Sequence, residues 1–247
     1  MTPTLIPILI SVILVSAISL TGALYFVLSH ASLTASLKWL VAFAAGTLLG
    51  ASLFDLVPES FEMLGGGAPI YIVGGILIFL LFEQVLHWHH EHRHNCDDCD
   101  TEQATGYAVL LGDGLHNFID GVLIASSWLT DPGLGLATTV AIAMHEIPQE
   151  LGDFAVLLHS GFTKPRALLF NLASALVAVA GALLAYFWLQ TAEGAVPYLL
   201  AIGAGGLLYI ALTDLLSEIK HQPRASTRLG QVAVLIAGLL LMARLTA

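Results

Sequence analysis

The segment His116-Asn117-Phe118-Ile119-Asp120 lies in the middle of the apolar run 106–129, and His145-Glu146-Ile147-Pro148-Gln149 lies in the middle of a second apolar run, 133–158. Each histidine has polar residues one and four positions further on. Ionisable side chains are costly at the depth of a lipid bilayer, so they rarely persist there without a function. Imidazole, carboxylate and amide oxygens together are typical ligands of a transition-metal dication. The two segments therefore predict a metal site inside a membrane.

The composition is that of a polytopic membrane protein. Hydrophobic residues make up 57% of the 247 residues and charged residues 11%, whereas a soluble domain averages about 45–50% apolar and about 25% charged residues. At roughly 20 residues per span, the chain has room for about eight transmembrane helices. We therefore expect residues 1–247 to form a single all-α transmembrane domain. The eight Lys and Arg residues are scattered, which argues against nucleic acid as a partner.

Eight apolar stretches are the predicted spans, and helices are expected because each backbone group in lipid must find a partner within its own segment. The predicted spans are residues 5–28, 37–57, 69–86, 106–129, 133–159, 167–189, 196–219 and 229–245. The third is the weakest prediction, because it is short and contains Glu83. The first lacks a basic leading region and is long for a signal peptide, so we expect it to be retained.

The basic residues predict the orientation of these spans. Seven of the eight follow odd-numbered spans: Lys38, Arg93, Lys164, Arg166, Lys220, Arg224 and Arg228. By the positive-inside rule, both termini face outward and the loop 87–104, between helices 3 and 4, faces the cytoplasm. The small size of the chain favours a bacterial inner membrane, where outward termini would be periplasmic.

Two pairs of segments resemble each other inside the chain. The pattern Gly-x-Leu-Leu-x-x-x-Leu-x-Asp-Leu-x-x-Glu occurs at 46–59 and again at 205–218, a constant offset of 159 residues. The two His segments match at an offset of 29 residues. Both pairs fall on spans that run in opposite directions under the predicted topology. The simplest architecture is a 3+2+3 inverted repeat, which is common in secondary transporters, although chance similarity in Leu-rich and Gly-rich sequence is an alternative for the 159-residue match.

Helical spacing gathers the polar residues of the two central spans on facing stripes. Residues three, four and seven positions apart share one face of a helix. On the fourth span, Asp113, His116, Asn117 and Asp120 have this spacing. On the fifth span, His145 and Gln149 have it, and Glu146 lies on the adjoining stripe. Two such stripes could converge on one ion, since two carboxylates balance the charge of a dication. The candidate metal ligands are His116, Asn117, Asp120, His145, Glu146 and Gln149.

These residues carry a resemblance to a known family. The text Asp113-Gly114-Leu115-His116-Asn117-Phe118-Ile119-Asp120-Gly121 is similar to the HNFxDG motif of the ZIP metal transporters, and residues 145–153, HEIPQELGD, resemble the HEXPHEXGD motif of one large branch. The resemblance covers nearly the whole chain. It implies uptake of zinc or a related dication into the cytoplasm, with the metal bound between transmembrane helices 4 and 5, which are the fourth and fifth predicted spans, at the six candidate positions. It also implies that zinc is the transported substrate rather than a catalytic cofactor.

One position departs from the branch motif, because Gln149 stands where the motif has His. Amide oxygen is a weaker ligand for zinc than imidazole, and a neutral amide is a poor bridge between two cations. The sequence therefore predicts one well-formed metal site and at most a weak second one. It also predicts that selectivity is relaxed toward Fe²⁺, Mn²⁺ or Cd²⁺.

The loop between the third and fourth spans is a second, separate candidate for metal binding. It is rich in imidazole and thiol groups, at His87, His89, His90, His92, His94, Cys96 and Cys99. The Cys-Asp-Asp-Cys spacing favours a metal clasp over a structural disulfide. The loop is either a cytoplasmic receiver or sensor for the transported ion, or a solvated tether that binds metal incidentally.

Five further acidic residues inside the spans are candidates for the ion pathway or for support of the ligands: Asp55, Asp113, Glu150, Asp153 and Asp214. Asp55 and Asp214 occupy equivalent positions in the 159-residue repeat. They could line the path or accept protons, or they could make hydrogen bonds between helices. Asp113, Glu150 and Asp153 flank the central site and could relay the ion or orient its ligands.

Alternating access is the mechanism that this pattern favours, with a dication and the lipid bilayer as partners and with a homodimer left open. The sequence has no nucleotide-binding loop, so ATP is not expected as the direct energy source. The alternative is an intramembrane zinc hydrolase, because His145-Glu146-x-x-Gln149 is similar to the His-Glu-x-x-His of zinc proteases. Against it, the second His is missing and the ligands on the fourth span fill positions that an enzyme leaves open to water. We therefore expect that the chain is not an enzyme.

Overall fold

The computed structural model describes residues 4–26, 30–93, 101–189, 191–220 and 222–245, with the backbone alone at 25–26, 30–34, 85–93, 101–105, 193, 214 and 218. Within this part of the chain the regular structure is entirely helical. The α-helices are α1 (Leu5–Ala17), α2 (His30–Gly50), α3 (Val57–Leu64), α4 (Ala68–Arg93), α5 (Thr101–Thr130), α6 (Pro132–His159), α7 (Lys164–Ala175), α8 (Val177–Leu189), α9 (Val196–Ile210), α10 (Leu216–Lys220) and α11 (Ala225–Leu245). Short 3-10 segments at Ile18–Phe26, Gly65–Gly67 and Glu193–Ala195 and π-helical segments at Ala51–Leu56 and Ala211–Leu215 join some of them.

The predicted all-α integral membrane fold is confirmed. Six helical stretches in the described residues are long and apolar enough to cross a membrane: Leu5–Leu24, Ala35–Gln84, Gly106–Thr130, Lys164–Leu189, Val196–Thr213 and Ala225–Leu245. The second of them has 50 residues, more than twice the roughly 20 that one span needs. Helix α6 is not among the six, and it carries Glu146, Glu150 and Asp153. The number of eight spans therefore stays a prediction.

Several helix boundaries differ from the predicted spans. Helix α4 continues to Arg93 and α5 begins at Thr101, so both ends of the predicted loop 87–104 are helical. The predicted span 167–189 is divided at Leu176 into α7 and α8. Glu83 does not interrupt α4, because its carboxylate accepts a hydrogen bond from the Tyr209 hydroxyl of α9. An acidic residue in an apolar helix is thus accommodated by a partner on a neighbouring helix.

The segments related by the 159-residue offset share an unusual local structure. The π-helical segments Ala51–Leu56 and Ala211–Leu215 occupy equivalent positions in the two copies. Their helices also have equivalent neighbours. Helix α2 of the first copy packs on α11, which follows the second copy, and α9 of the second copy packs on α4, which follows the first. Segments of π-helix are rare and frequently lie at functional sites. These observations support the internal repeat, whose inverted orientation stays a prediction.

Glycine allows the helices of this bundle to approach each other closely. In three helix pairs a glycine of each helix lies against a backbone carbonyl of the other, and a Cβ atom there would come within 1.9–2.6 Å of that oxygen. The pairs are Gly46 and Gly238 for α2 and α11, Gly75 and Gly205 for α4 and α9, and Gly121 and Gly181 for α5 and α8. Small residues at helix contacts give membrane bundles their packing energy, since lipid offers no hydrophobic driving force. Gly181, Gly205 and Gly238 thus bring the last three predicted spans into close contact with α5, α4 and α2.

Helices α5 and α6 lie at the centre of the bundle. Helix α5 contacts α1, α4, α7, α8 and α9, and α6 contacts α1, α2, α7 and α11, besides each other. The polar stripes of the two helices are therefore enclosed by other helices rather than by lipid. This arrangement places the two His segments in the interior of the protein.

Candidate metal site

A very tight turn joins the two central helices and sets their register. Only Asp131 separates α5 from α6, and its carboxylate caps α6 by accepting hydrogen bonds from the backbone N–H of Gly133 at 2.7 Å and of Leu134 at 3.1 Å. His116 lies fifteen residues before this turn and His145 fourteen residues after it. At 1.5 Å per residue, both histidines stand about 21–22 Å from the turn, at the same depth. The turn therefore places the two imidazoles side by side.

Four side chains converge at that depth. The Nε2 atoms of His116 and His145 are 3.1 Å apart. Asp120 Oδ2 lies 3.5 Å from His116 Nε2 and 3.4 Å from His145 Nε2. Glu146 Oε1 lies 3.5 Å from each of the same two nitrogens. All four residues are buried, so the cluster is shielded from solvent and from lipid.

The geometry of the cluster fits a tetrahedral zinc site. Metal–ligand distances of about 2.0–2.1 Å to nitrogen and oxygen imply distances of roughly 3.3 Å between neighbouring ligand atoms of a regular tetrahedron. Five distances in the cluster lie near that value, at 3.1–3.5 Å. One joins the two imidazoles, and four join an imidazole to a carboxylate. Two carboxylates would also balance the charge of one dication. Within the described part of the chain, this is the one group of three or more His, Cys, Asp and Glu side chains close enough to hold a metal ion.

Hydrogen bonding in the cluster also favours a cation. Asp120 Oδ2 and both carboxylate oxygens of Glu146 are buried and accept no hydrogen bond from the protein. Buried polar atoms are almost always paired, because a lost partner costs the full desolvation penalty. A bound cation would supply the missing partner of these carboxylate oxygens.

The histidine on α6 is held in the form that binds metal. Its Nδ1 lies 3.3 Å from the carbonyl oxygen of Ala141, and a carbonyl can only accept a hydrogen bond. The Nδ1 atom of His145 is therefore the donor, which leaves the lone pair of neutral imidazole on Nε2, the atom that faces the cluster. A backbone carbonyl one turn earlier thus prepares His145 as a ligand.

The two amide residues among the predicted ligands lie beside this cluster. Asn117 is fully buried, and its Nδ2 donates to the backbone oxygen of Asp113 at 3.1 Å and to its Oδ1 at 2.9 Å. Gln149 is half-buried, and its Nε2 donates to the same Oδ1 atom at 3.3 Å. The Oδ1 atom of Asn117 is buried and accepts no hydrogen bond from the protein. The amide nitrogens of Asn117 and Gln149 are therefore both bound to Asp113.

The structure also brings together residues that the sequence alone did not indicate. Ser174 of α7 donates a hydrogen bond to Asp113 Oδ2, and Asn171 of the same helix donates one to Glu150 Oε2. Asn171 and Ser174 are three residues apart and therefore share one face of α7. That spacing in an apolar stretch was the available signal. Helix α7 is thus joined to both central helices by polar contacts.

The remaining predicted residues lie outside the four-residue cluster. Glu150 is buried and Asp153 half-buried on α6. Asp55 is buried in the first π-helical segment, which packs on α6 and α9, and Asp214 belongs to the second π-helical segment, where only the backbone is described. In the predicted metal-binding loop, His87, His89, His90 and His92 belong to the end of α4 by their backbone, and His94, Cys96 and Cys99 are outside the described residues.

Comparison with known proteins identifies the family. The model of the family described as ZIP Zinc transporter matches residues 4–107 and 89–246. This chain belongs to the ZIP zinc transporter family. The family membership inferred from the two His motifs is thereby confirmed.

Individual relatives support the same assignment. The chain is 34% identical to zinc transporter ZIP13 of Pongo abelii over 223 residues, covering 83% of this chain and 66% of the relative. It is 32% identical to zinc transporter YKE4 of Saccharomyces cerevisiae over 234 residues, covering 82% and 66%, and 40% identical to human zinc transporter ZIP10 over 143 residues, covering 54% and 17%. The chain thus spans about two thirds or less of the length of these relatives. Since all of them are named transporters, the comparisons do not support the alternative of a zinc hydrolase.

Proposed function

We propose that this ZIP family member moves zinc, or a related transition-metal dication, across a membrane through the site between α5 and α6. The observation that carries the proposal is the buried cluster of His116, Asp120, His145 and Glu146, whose ligand atoms are spaced as a tetrahedral ion requires. The names of the relatives support zinc as the substrate. The amide oxygens of Asn117 and Gln149 are proposed as two further ligands, which would raise the coordination number of the ion above the four of the cluster.

Uptake into the cytoplasm by alternating access is the proposed direction and mechanism. The basic residues in the loops after the odd-numbered spans support outward termini, and a bacterial inner membrane would make these termini periplasmic. The repeat-related π-helical segments support a design in which one part of the bundle rocks against the other around a fixed central site. Asp55 and Asp214, which lie in those segments, are proposed to line the path. A homodimer stays a prediction.

Zinc uptake into proteoliposomes tests this function. We expect ⁶⁵Zn accumulation by the purified wild-type chain, and a loss to the level of empty liposomes in both His116→Ala and His145→Ala, because each variant removes one of two imidazole ligands from a buried site. His159→Ala is the matched control, since His159 is an exposed residue at the end of the same helix α6.

Two results would contradict the proposal. Accumulation that persists in both ligand variants would exclude the central site as the path. Metal-dependent peptide cleavage by the wild type without accumulation would favour the hydrolase.

A further inference from the structure

Asp113 connects three helices next to the metal cluster without belonging to it. Its Oδ1 accepts hydrogen bonds from Asn117 Nδ2 of α5 at 2.9 Å and from Gln149 Nε2 of α6 at 3.3 Å. Its Oδ2 accepts a hydrogen bond from the Ser174 hydroxyl of α7. The Asp113 side chain is buried. One carboxylate thus contacts both amide residues of the proposed ligand set.

The chemistry of these contacts selects one orientation of each amide. A carboxylate can only accept hydrogen bonds, whereas a carboxamide has a donor end and an acceptor end of almost the same shape. The Asp113 carboxylate therefore attracts the NH₂ ends of Asn117 and Gln149 and turns their oxygens away from itself. The backbone oxygen of Asp113 accepts a second hydrogen bond from the NH₂ group of Asn117 at 3.1 Å. The buried Oδ1 of Asn117, which accepts no hydrogen bond from the protein, is the result of this orientation.

We propose that Asp113 is a positioning residue that holds Asn117 and Gln149 with their oxygen ends, rather than their NH₂ ends, available to the transported cation. An NH₂ group repels a cation and an amide oxygen binds it, so a flipped amide changes from ligand to obstacle. Ser174 fixes the carboxylate plane from α7 by its bond to the second oxygen. This inference rests on the proposed function, because it deepens the role of the same site.

The direct test compares two substitutions of similar size that differ in hydrogen bonding. Asp113→Leu keeps the branched shape of the side chain but removes both carboxylate acceptors. Asp113→Asn removes the charge and keeps one acceptor oxygen for the two amides, with its NH₂ facing the Ser174 hydroxyl. Loss of a residue that orients a ligand typically lowers metal affinity about 10–100-fold. We expect a loss of that size for D113L and a change of less than about threefold for D113N, measured by equilibrium dialysis of zinc against the purified full chain in detergent.

A double-mutant cycle separates orientation of the amides from simple packing. If Asp113 acts through Asn117 and Gln149, then D113L causes no further loss of zinc affinity in a chain that already carries Asn117→Ala and Gln149→Ala. The visible spectrum of bound Co²⁺ gives a second readout, because loss of the amide oxygens in D113L would lower the coordination number and intensify the absorption. Asp113→Ala replaces D113L if that variant is not recovered folded.

The outcomes are distinct. Wild-type affinity in D113L, an equal loss in D113N and D113L, or an additive loss in the chain without the two amides would each overturn the proposal for Asp113. Zinc affinity unchanged in His116→Ala and His145→Ala would instead refute the proposed central site itself.

Discussion

Single side chains of the candidate site are oriented by hydrogen bonds to neighbouring groups of the protein. His145 donates its Nδ1 proton to the carbonyl of Ala141, and Asn117 and Gln149 donate their NH₂ groups to Asp113. The carboxylate oxygens of Asp120 and Glu146 that face the imidazoles accept no hydrogen bond from the protein. The Nδ1 proton of His145 and the two NH₂ groups are thus bound within the protein, and the carboxylate oxygens of the cluster are left for a cation.

A substitution at Gln149 is expected to change the preference of the site between zinc and other dications. Replacement by His would exchange a weak amide oxygen for an imidazole nitrogen, a better ligand for zinc. For Gln149→His we expect zinc affinity to rise roughly tenfold, equivalent to about 1.4 kcal/mol, with a smaller gain for Mn²⁺. Competition dialysis of the two metals measures both values. Unchanged affinity and unchanged metal preference would mean that Gln149 is not a ligand.

At the scale of helices, the positions of the ligands depend on how closely α5 is packed. Gly121 follows Asp120 of the four-residue cluster, and a Cβ atom there would lie 1.9 Å from the carbonyl oxygen of Ala178 in α8. Gly181 of α8 lies equally close to the carbonyl of Phe118. The cluster is therefore carried by a helix that cannot move away from α8 without losing this contact.

Gly121→Ala should destabilise the protein, because neither backbone can yield locally to the added methyl group. Overpacking of this kind costs about 1–3 kcal/mol, and we expect a lower unfolding temperature in detergent. Gly114→Ala is the matched control on the same helix, since its Cβ would meet its nearest neighbours at 3.8 Å, an ordinary contact distance. Equal unfolding temperatures for the two variants would argue against a close α5–α8 contact.

The sequence predicted the positions of the site residues better than the boundaries of the helices. Helical spacing placed His116, Asp120, His145 and Glu146 on facing stripes, and these four side chains lie together in the structure, because each helix keeps its register over the few turns involved. Their role as metal ligands stays a prediction. The division of the sixth span at Leu176 could not be predicted, since no proline or glycine marks it. The contact of Ser174 with Asp113 was also missed, because it depends on the packing of α7 against α5 rather than on local sequence.

At the scale of the whole molecule, a central helix pair is enclosed by helices that repeat each other in sequence and in local structure. The first π-helical segment, Ala51–Leu56, packs on α6, and the second, Ala211–Leu215, packs on α2 and α9. The tight turn at Asp131 joins the two central helices at one end. Alternating access, in which movement of the surrounding bundle would expose the site between them to each side in turn, stays a proposal.

Transport should weaken in acid, because zinc binds only neutral imidazole and ionised carboxylate and therefore competes with protons for the ligands. With equal pH on both sides of the membrane, we expect the apparent KM for zinc to rise as the pH is lowered from 7.5 to 5.5. Initial rates of ⁶⁵Zn uptake into proteoliposomes give this value. An uncoupler that leaves the rates unchanged would identify simple competition, and a KM independent of pH would contradict ligation by His116 and His145.

X-ray absorption at the zinc edge shows which side chains bind zinc in the cluster. The sample is the purified chain with one equivalent of zinc, in a variant whose loop histidines and cysteines at positions 87–99 are replaced by serine. We predict a shell of nitrogen and oxygen ligands at about 2.0–2.1 Å with the multiple scattering of two imidazoles. The same signal should fall when either His116 or His145 is changed to Ala. A zinc shell that shows no imidazole, or an imidazole signal that is the same in both Ala variants as in the parent chain, would contradict zinc binding by His116 and His145.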